Sequence, residues 1–221
     1  MLEVRYCRVS PLAEDSLFQT YYDALKSVQR KQRILSYKQK KDQMRSLAAS
    51  ILLETLLEDH GIMERTLWYN PCQKPFLSDS PWEIGLSHSG GYAAALLSDQ
   101  PAGVDIEKKR PVDERVIRRF FHPEEMEYIH SSENKDLAFT EIWTKKESFL
   151  KMTGTGITVP LEQFSVLRQE ENRFFQTLVQ DAFVLSTCTG TNQPVRFQEW
   201  HLQTAPTTQD AAHSESLRRI Q

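Results

Sequence analysis

The sequence is poor in the features that mark secreted, membrane and zinc-bound proteins. Its 221 residues include three scattered cysteines, Cys7, Cys72 and Cys188, with no Cys-x-x-Cys pair, which argues against a disulfide framework and a zinc site. No charged-then-apolar leader opens the chain, and no stretch approaches the ~18 apolar residues of a membrane helix. The formal net charge of -3 favours neither nucleic acid nor a membrane surface. We therefore expect a soluble cytoplasmic protein with reduced cysteines.

Two widespread catalytic motifs are also missing. The chain has no Gly-x-x-x-x-Gly-Lys-Ser/Thr loop of the kind that cradles nucleotide phosphates, and no Gly-x-Ser-x-Gly elbow of a serine hydrolase. Ser87 and His88 are adjacent, but neighbours on a strand face opposite ways and do not form a nucleophile–base pair.

A short strand carries the first chemical motif. Residues 103–107 read Gly-Val-Asp-Ile-Glu. Because side chains alternate along a strand, Val104 and Ile106 point to one face, and Asp105 and Glu107 point to the other. Alone, such a pair of acids is typical of a solvated edge strand.

A helix carries the second motif. Residues 143–151 read Trp-Thr-Lys-Lys-Glu-Ser-Phe-Leu-Lys, and Trp143, Glu147 and Lys151 recur at four-residue spacing, so they share one stripe. If that stripe meets the acidic strand face, three carboxylates and a lysine converge. Crowded carboxylates repel one another unless a cation lies among them. An all-oxygen set with room for substrate oxygens suits Mg²⁺, which commonly holds a diphosphate.

Together the two motifs resemble the signature of the 4′-phosphopantetheinyl transferases, and the length and intervening sequence are similar to the surfactin-type (Sfp-like), single-chain branch. The resemblance implies transfer of the 4′-phosphopantetheine group from coenzyme A to a serine of an acyl or peptidyl carrier protein, with release of 3′,5′-ADP. It implies coenzyme A as substrate and Mg²⁺ as cofactor, with Mn²⁺ as a second candidate. It also implies two similar α+β lobes with the active site in the cleft between them.

The resemblance assigns roles to the matching residues. The implied metal ligands are Asp105, Glu107 and Glu147. Glu147 is also a candidate base for the serine proton, and the sequence leaves open whether it is a ligand only. Lys151 would stabilise charge on the departing phosphate, and Lys146 would assist in binding the nucleotide.

A basic segment precedes these motifs. Between Lys26 and Arg45 eight basic residues accompany one acid, a pattern typical of a solvated helix face or of an anion-binding rim. The resemblance favours a rim near the 3′-phosphate of coenzyme A. By its position, Arg45 is the first candidate, ahead of Arg30 and Arg33. Arginine suits this role because a guanidinium can grip phosphate with two bonds.

Two further motifs resemble those of the family and occur in the same order along the chain. Gln-Lys-Pro at 73–75 resembles the Gly-Lys-Pro of the family, and Gly-Leu-Ser-His-Ser at 85–89 resembles its Asn-x-Ser-His-(Ser/Thr). Lys74, Ser87 and His88 are thereby expected to contact the nucleotide phosphates. Each motif departs from the family at its first residue, with glutamine for glycine and glycine for asparagine.

The hydrophobic patterning permits this fold and places its elements. A turn at 98–101 divides an N-terminal lobe, 1–101, from a C-terminal lobe, 102–202, which is followed by a polar tail, 203–221. Predicted helices include 14–25, one that opens at Arg45 and stops near Gly61, one capped by Asp113, one restarting at His122, and 136–152. Strands near 164–167, 174–178, 182–188 and 195–202 would form an antiparallel meander closing the second lobe.

Two other functions use the same residues. A Mg²⁺-dependent hydrolase or kinase would act on another diphosphate and would release phosphate from ATP without a carrier. A binding module would hold coenzyme A without metal and modify nothing. We expect the transferase, working as a monomer without nucleic acid or membrane, because four motifs agree in order across residues 45–151.

Overall fold

The computed structural model describes residues 1–168 and 170–203 of the chain. Helices and antiparallel strands both contribute, which confirms the α+β class. Within this part of the chain, no helix combines the length and the apolar character needed to cross a bilayer. The predicted tail, 203–221, lies outside the described residues apart from Gln203. In order, the elements are β1 (Leu2–Arg8), α1 (Asp15–Ala24), α2 (Val28–Ser36), α3 (Lys40–Asp59), β2 (Leu67–Tyr69), β3 (Pro75–Leu77), β4 (Glu83–Ser89), β5 (Tyr92–Ser98), β6 (Ala102–Lys108), α4 (Glu114–Phe120), α5 (Pro123–Ser131), α6 (Lys135–Thr153), β7 (Phe174–Val179), β8 (Phe183–Thr189) and β9 (Arg196–Glu199).

Four strands form the first sheet, in the order β4-β5-β1-β9. β5 pairs antiparallel with both β4 and β1, and its small residues Ala93 and Ala95 share one core with the apolar face of α3. Small side chains allow a helix to lie close to a sheet. α3 begins at Lys40 rather than at the predicted Arg45. The prediction missed the first turn because that turn is polar and has no apolar repeat to mark it.

The outer strand of this sheet comes from the far end of the described chain. β9 runs parallel to β1, with Val4 opposite Phe197, and the N–H of Trp200 donates to the carbonyl of Tyr6 at 2.8 Å. The prediction that this strand closes the meander of the second lobe is therefore wrong. Apolar alternation specifies a strand, but not its partner.

The second sheet has the order β6-β8-β7, all antiparallel, and α6 crosses it. Gly103 on β6 makes the close crossing possible. A Cβ there would lie 2.1 Å from the carbonyl oxygen of Ser148 and 2.3 Å from the nitrogen of Met152. Any larger residue would push α6 away from the acids that β6 carries.

The two short helices between β6 and α6 begin as predicted. The Asp113 side chain accepts the N–H of Arg115 at the start of α4, and His122 forms a capping box with Glu125 at the start of α5. The strand predicted near 164–167 does not form: Val166 instead packs into the core shared by α4, α5 and α6. The lobe boundaries at residues 101 and 202 stay predictions.

Candidate active site

A pocket of about 330 Å³ brings together residues from α2, β4, β6 and α6. Six residues that the sequence assigned to a site line it. They are Ser87, His88, Asp105, Glu107, Glu147 and Lys151. Trp143 borders the pocket as predicted. The stripe of α6 and the acidic face of β6 therefore do meet, as their local periodicities indicated.

Asp105 is the most buried acid of the pocket, with 3% of its surface exposed. Its Oδ1 accepts hydrogen bonds from Ser87 Oγ at 2.8 Å and from Lys151 Nζ at 2.6 Å. Its Oδ2 is buried and has no hydrogen-bond partner among the residues that the structure describes. Buried polar atoms nearly always have a hydrogen-bond partner. The unpaired Oδ2 of Asp105 is therefore suited to act as a ligand of a cation.

The two glutamates are held close to Asp105. Burial and then repulsion from Asp105 raise the pKa of Glu147 to about 7, although Lys151 opposes the rise. Burial and Asp105 also raise the pKa of Glu107, while a hydrogen bond from Ser89 at 2.5 Å works against that rise. Mutual repulsion among desolvated carboxylates has this effect where no cation compensates them.

These acids suit a hard cation in chemistry, but they are not gathered around one point. Within residues 1–168 and 170–203, no three His, Cys, Asp or Glu side chains are close enough together to hold a metal ion. Instead, the ammonium of Lys151 neutralises one oxygen of Asp105. The all-oxygen donor set and the orphaned Asp105 oxygen fit Mg²⁺, so the metal site stays a prediction with a chemical basis.

Two arginines of α2 line the pocket together with the acids. Arg30 is buried, and its guanidinium donates to Ser46 and Ser50 on α3. Arg33, one turn later, lies over the ring of Tyr69 at 4.9 Å. The pocket therefore has a basic, anion-binding wall, formed by the arginines, and an acidic wall, formed by Asp105, Glu107 and Glu147.

His88 lines the same pocket as the acids and the arginines. Desolvation lowers the pKa of its ring below the ordinary value, and the charges of Lys151, Arg45 and Arg30 lower it further. A ring N–H of His88 can donate a hydrogen bond to a bound anion.

Two predicted ligand contacts, Arg45 and Lys74, are engaged elsewhere. Arg45 donates from Nε to the carbonyl of Gly90 at 2.8 Å and pairs with Asp42, and it is not among the residues lining the pocket. Lys74 bonds Glu83 and the carbonyl of Met152, each at 2.8 Å. It lines a neighbouring pocket of about 270 Å³ that shares Glu147 and Lys151 with the first.

The prediction for Lys146 is wrong. Its side chain is fully buried, and its Nζ lies 2.9 Å from Glu125 and donates to the carbonyls of Leu161 and Phe164. Adjacent helix residues point about 100° apart, so Lys146 and Glu147 face different ways. A sequence signal existed: Ile142 and Leu150 lie four residues to either side of Lys146, which puts it on the buried stripe.

Sequence reasoning also missed Tyr69 and Ser89. The Tyr69 hydroxyl accepts from Arg30 at 3.3 Å, and no local pattern marks it, since β2 has only three residues. Ser89 bonds Glu107, and it lies two residues after Ser87, which puts both on one strand face. That spacing was a usable signal.

Gln73 and Gly85, the two residues that depart from the family motifs, each have a distinctive local structure. Gln73 keeps a left-handed backbone, with φ of 67°, which glycine adopts more easily. Its Oε1 accepts from Arg33 at 3.0 Å. At Gly85, a Cβ would lie 3.0 Å from a methyl of Val104, so a larger residue requires β4 and β6 to separate slightly.

Glu147→Gln is expected to change the pH dependence of stability. The pKa of Glu147 is about 7 in the folded protein, against an ordinary 4.5. This group's contribution to stability is therefore complete below pH 4.5 and is lost as the pH rises through about 7. In chelator-treated buffer, the wild type should lose thermal stability relative to the variant between about pH 5 and pH 8. Calorimetry across that range checks this, and a pH-independent difference would contradict the raised pKa.

Comparisons with known proteins agree with this geometry. The profile of the 4′-phosphopantetheinyl transferase superfamily matches residues 101–206. The 4′-phosphopantetheinyl transferase ffp of Bacillus subtilis is 30% identical over 154 residues, which cover 66% of this chain and 68% of the relative. The 4′-phosphopantetheinyl transferase Sfp of Bacillus subtilis strain 168 is 28% identical, covering 66% and 68%. The 4′-phosphopantetheinyl transferase gsp of Aneurinibacillus migulanus is 28% identical, covering 74% and 70%.

Proposed function

Because the chain belongs to the 4′-phosphopantetheinyl transferase superfamily and is an enzyme of that type, we propose that it transfers 4′-phosphopantetheine from coenzyme A to a serine of an acyl or peptidyl carrier protein. The reaction is Mg²⁺-dependent and releases 3′,5′-ADP. One observation carries the proposal: Asp105, Glu107 and Glu147 line the same pocket as the basic residues Arg30 and Arg33. A diphosphate bound to a metal and a nucleotide phosphate need these two walls side by side.

The basic wall binds the nucleotide in this proposal. Arg30 needs little reorganisation, because Ser46, Ser50 and Tyr69 already fix its guanidinium. Arg33 and His88 supply further donors to the phosphates. Arg45 and Lys74 would have to leave their present partners before they could contact coenzyme A. We therefore place them second to Arg30, Arg33 and His88 as contacts of the nucleotide.

The acidic wall holds the metal. Asp105, Glu107 and Glu147 provide oxygen ligands for Mg²⁺, with Mn²⁺ as an alternative, and the orphaned Oδ2 of Asp105 supports this role. Bound there, the ion supplies neutralisation of the diphosphate charge. Ser87 keeps Asp105 oriented through its 2.8 Å hydrogen bond.

The chain's own groups then move one proton and stabilise one leaving group. The carrier serine oxygen forms a bond to the β-phosphorus of coenzyme A, the bond from that phosphorus to the bridging oxygen breaks, and 3′,5′-ADP leaves. Glu147 receives the serine proton, directly or through a water. Lys151 stabilises the negative charge that collects on the departing phosphate.

A single chain completes this site. Lining residues come both from before residue 101 and from after it, which supports a donor site between two lobes divided near residue 101. We take the protein to act as a monomer on folded carrier domains, without nucleic acid or membrane.

Intact mass spectrometry of a carrier protein tests the function. Incubation with coenzyme A, Mg²⁺ and this protein should add the mass of the phosphopantetheine arm to the carrier, and a carrier whose serine is replaced by alanine should stay unmodified. An unchanged carrier mass, with coenzyme A bound in a metal-independent way, would instead indicate a binding module.

Arg33→Gln is expected to weaken the grip on the 3′-phosphate. A charge-assisted hydrogen bond contributes about 1.5–3 kcal/mol, so the KM for coenzyme A should rise roughly 10-fold or more. The KM for 3′-dephospho-coenzyme A should change much less, because that donor lacks the phosphate. Arg118→Gln, an exposed arginine on α4, is the matched control. Equal rises for both donors would remove Arg33 from this role.

A further inference from the structure

The two sheets meet at β4 and β6, and two serines connect them. Ser87 and Ser89 lie two residues apart on β4, and Asp105 and Glu107 lie two residues apart on β6. Ser87 Oγ donates to Asp105 and accepts the N–H of Ile106 at 3.2 Å. Ser87 therefore bridges to one carboxylate and one backbone N–H of the opposite strand.

Ser89 repeats this arrangement one step further along. Its Oγ donates to Glu107 Oε2 at 2.5 Å and accepts the N–H of Lys108 at 3.3 Å. Since the backbone N–H takes up a lone pair, the hydroxyl proton is directed at the carboxylate. The backbone of Ser89 is itself fixed, because it pairs with Tyr92 across the tight hairpin.

Glu107 depends on this contact more than Asp105 depends on Ser87. Asp105 has two donors, Ser87 and Lys151. In the part of the chain that the structure describes, the Glu107 carboxylate has one hydrogen-bond donor, Ser89. Glutamate also has one more rotatable side-chain bond than aspartate, so it loses more conformational freedom when it is fixed. Without Ser89, the carboxylate has no donor that selects one orientation.

We propose that Ser89 is a positioning residue that orients Glu107 for the divalent cation, leaving one carboxylate oxygen free to ligate it. This inference rests on the proposed function, because it needs Glu107 as a ligand. Replacement of outer-shell partners of metal ligands typically costs 10–100-fold in metal affinity or activity.

Mn²⁺ binding, followed by the paramagnetic signal of the free ion, tests this without turnover. Ser89→Ala should raise the Mn²⁺ dissociation constant of the coenzyme-A-free protein by about 10-fold or more. The Mg²⁺ concentration for half-maximal transfer should rise in parallel, and kcat at saturating Mg²⁺ should fall by less than about 3-fold. Ser89→Thr, which keeps the hydroxyl, should behave like the wild type.

Ser98→Ala is the matched control. Ser98 is a buried strand residue whose Oγ accepts the N–H of Gln100 at 3.1 Å, so its loss reports the effect of removing a structural hydroxyl. Unchanged Mn²⁺ affinity in Ser89→Ala, or an equal loss in Ser98→Ala, would overturn the inference while the transferase stands. A wild type that neither binds Mn²⁺ nor modifies a carrier would overturn the proposed function, and the inference with it.

Discussion

Asp105→Asn is expected to lower the rate of phosphopantetheine transfer at least ~100-fold, the scale of losing a main electrostatic contributor to a transition state. The variant keeps the shape of the side chain and removes one negative charge. Oδ1 accepts hydrogen bonds from Ser87 and Lys151, so the amide nitrogen takes the place of the orphaned Oδ2, where it cannot ligate a cation.

Initial rates of carrier modification at saturating Mg²⁺ and coenzyme A measure this effect. Asp79→Asn is the matched control, since Asp79 is exposed and has a φ of 48°, which asparagine also tolerates. Wild-type rates in Asp105→Asn would remove Asp105 from the site. The same result in Glu107→Ala and Glu147→Ala would remove the proposed metal centre altogether.

Lys151→Met is expected to have two opposite effects. Transfer should fall by about 100-fold or more, because charge on the departing phosphate loses its counter-charge. Metal binding in the absence of coenzyme A should become tighter, roughly 10-fold. The reason is that the ammonium now lies 2.6 Å from Asp105 Oδ1 and competes with any cation for that oxygen.

Mn²⁺ titration near pH 8, above the pKa of about 7 of Glu147, measures the change in metal binding, and initial rates of carrier modification measure the loss of transfer. Lys145→Met serves as the control: Lys145 lies on the same helix but lines a different pocket, with Arg168 and Arg173. Weaker Mn²⁺ binding together with lost transfer would mean that Lys151 supports the carboxylates rather than competing for them.

Short-range periodicity predicted the centre of this site. Alternation along β6 put Asp105 and Glu107 on one face, and four-residue spacing put Glu147 with Lys151. Both rules depend on backbone geometry alone. The sequence does not contain the distance between the two elements, which Gly103 sets by letting α6 lie against β6.

The misjudged residues depended on long-range packing. Arg30 lines the pocket because α2 packs against Ser46 and Ser50 on α3. Arg45, which the sequence analysis preferred, donates a hydrogen bond to the carbonyl of Gly90 instead. Nothing local distinguishes two arginines of one basic segment. Lys146 is different, because its place between Ile142 and Leu150 could have identified it as buried.

The parallel pairing of β9 with β1 has a consequence for how the protein is made. β1 is translated long before its outer neighbour, Arg196–Glu199. In the interval, the edge of β1 that β9 later covers is open to other chains. Nascent chains on one polysome are therefore at risk of aggregation through this edge. Rapid translation or early binding of a chaperone should increase the yield of folded protein.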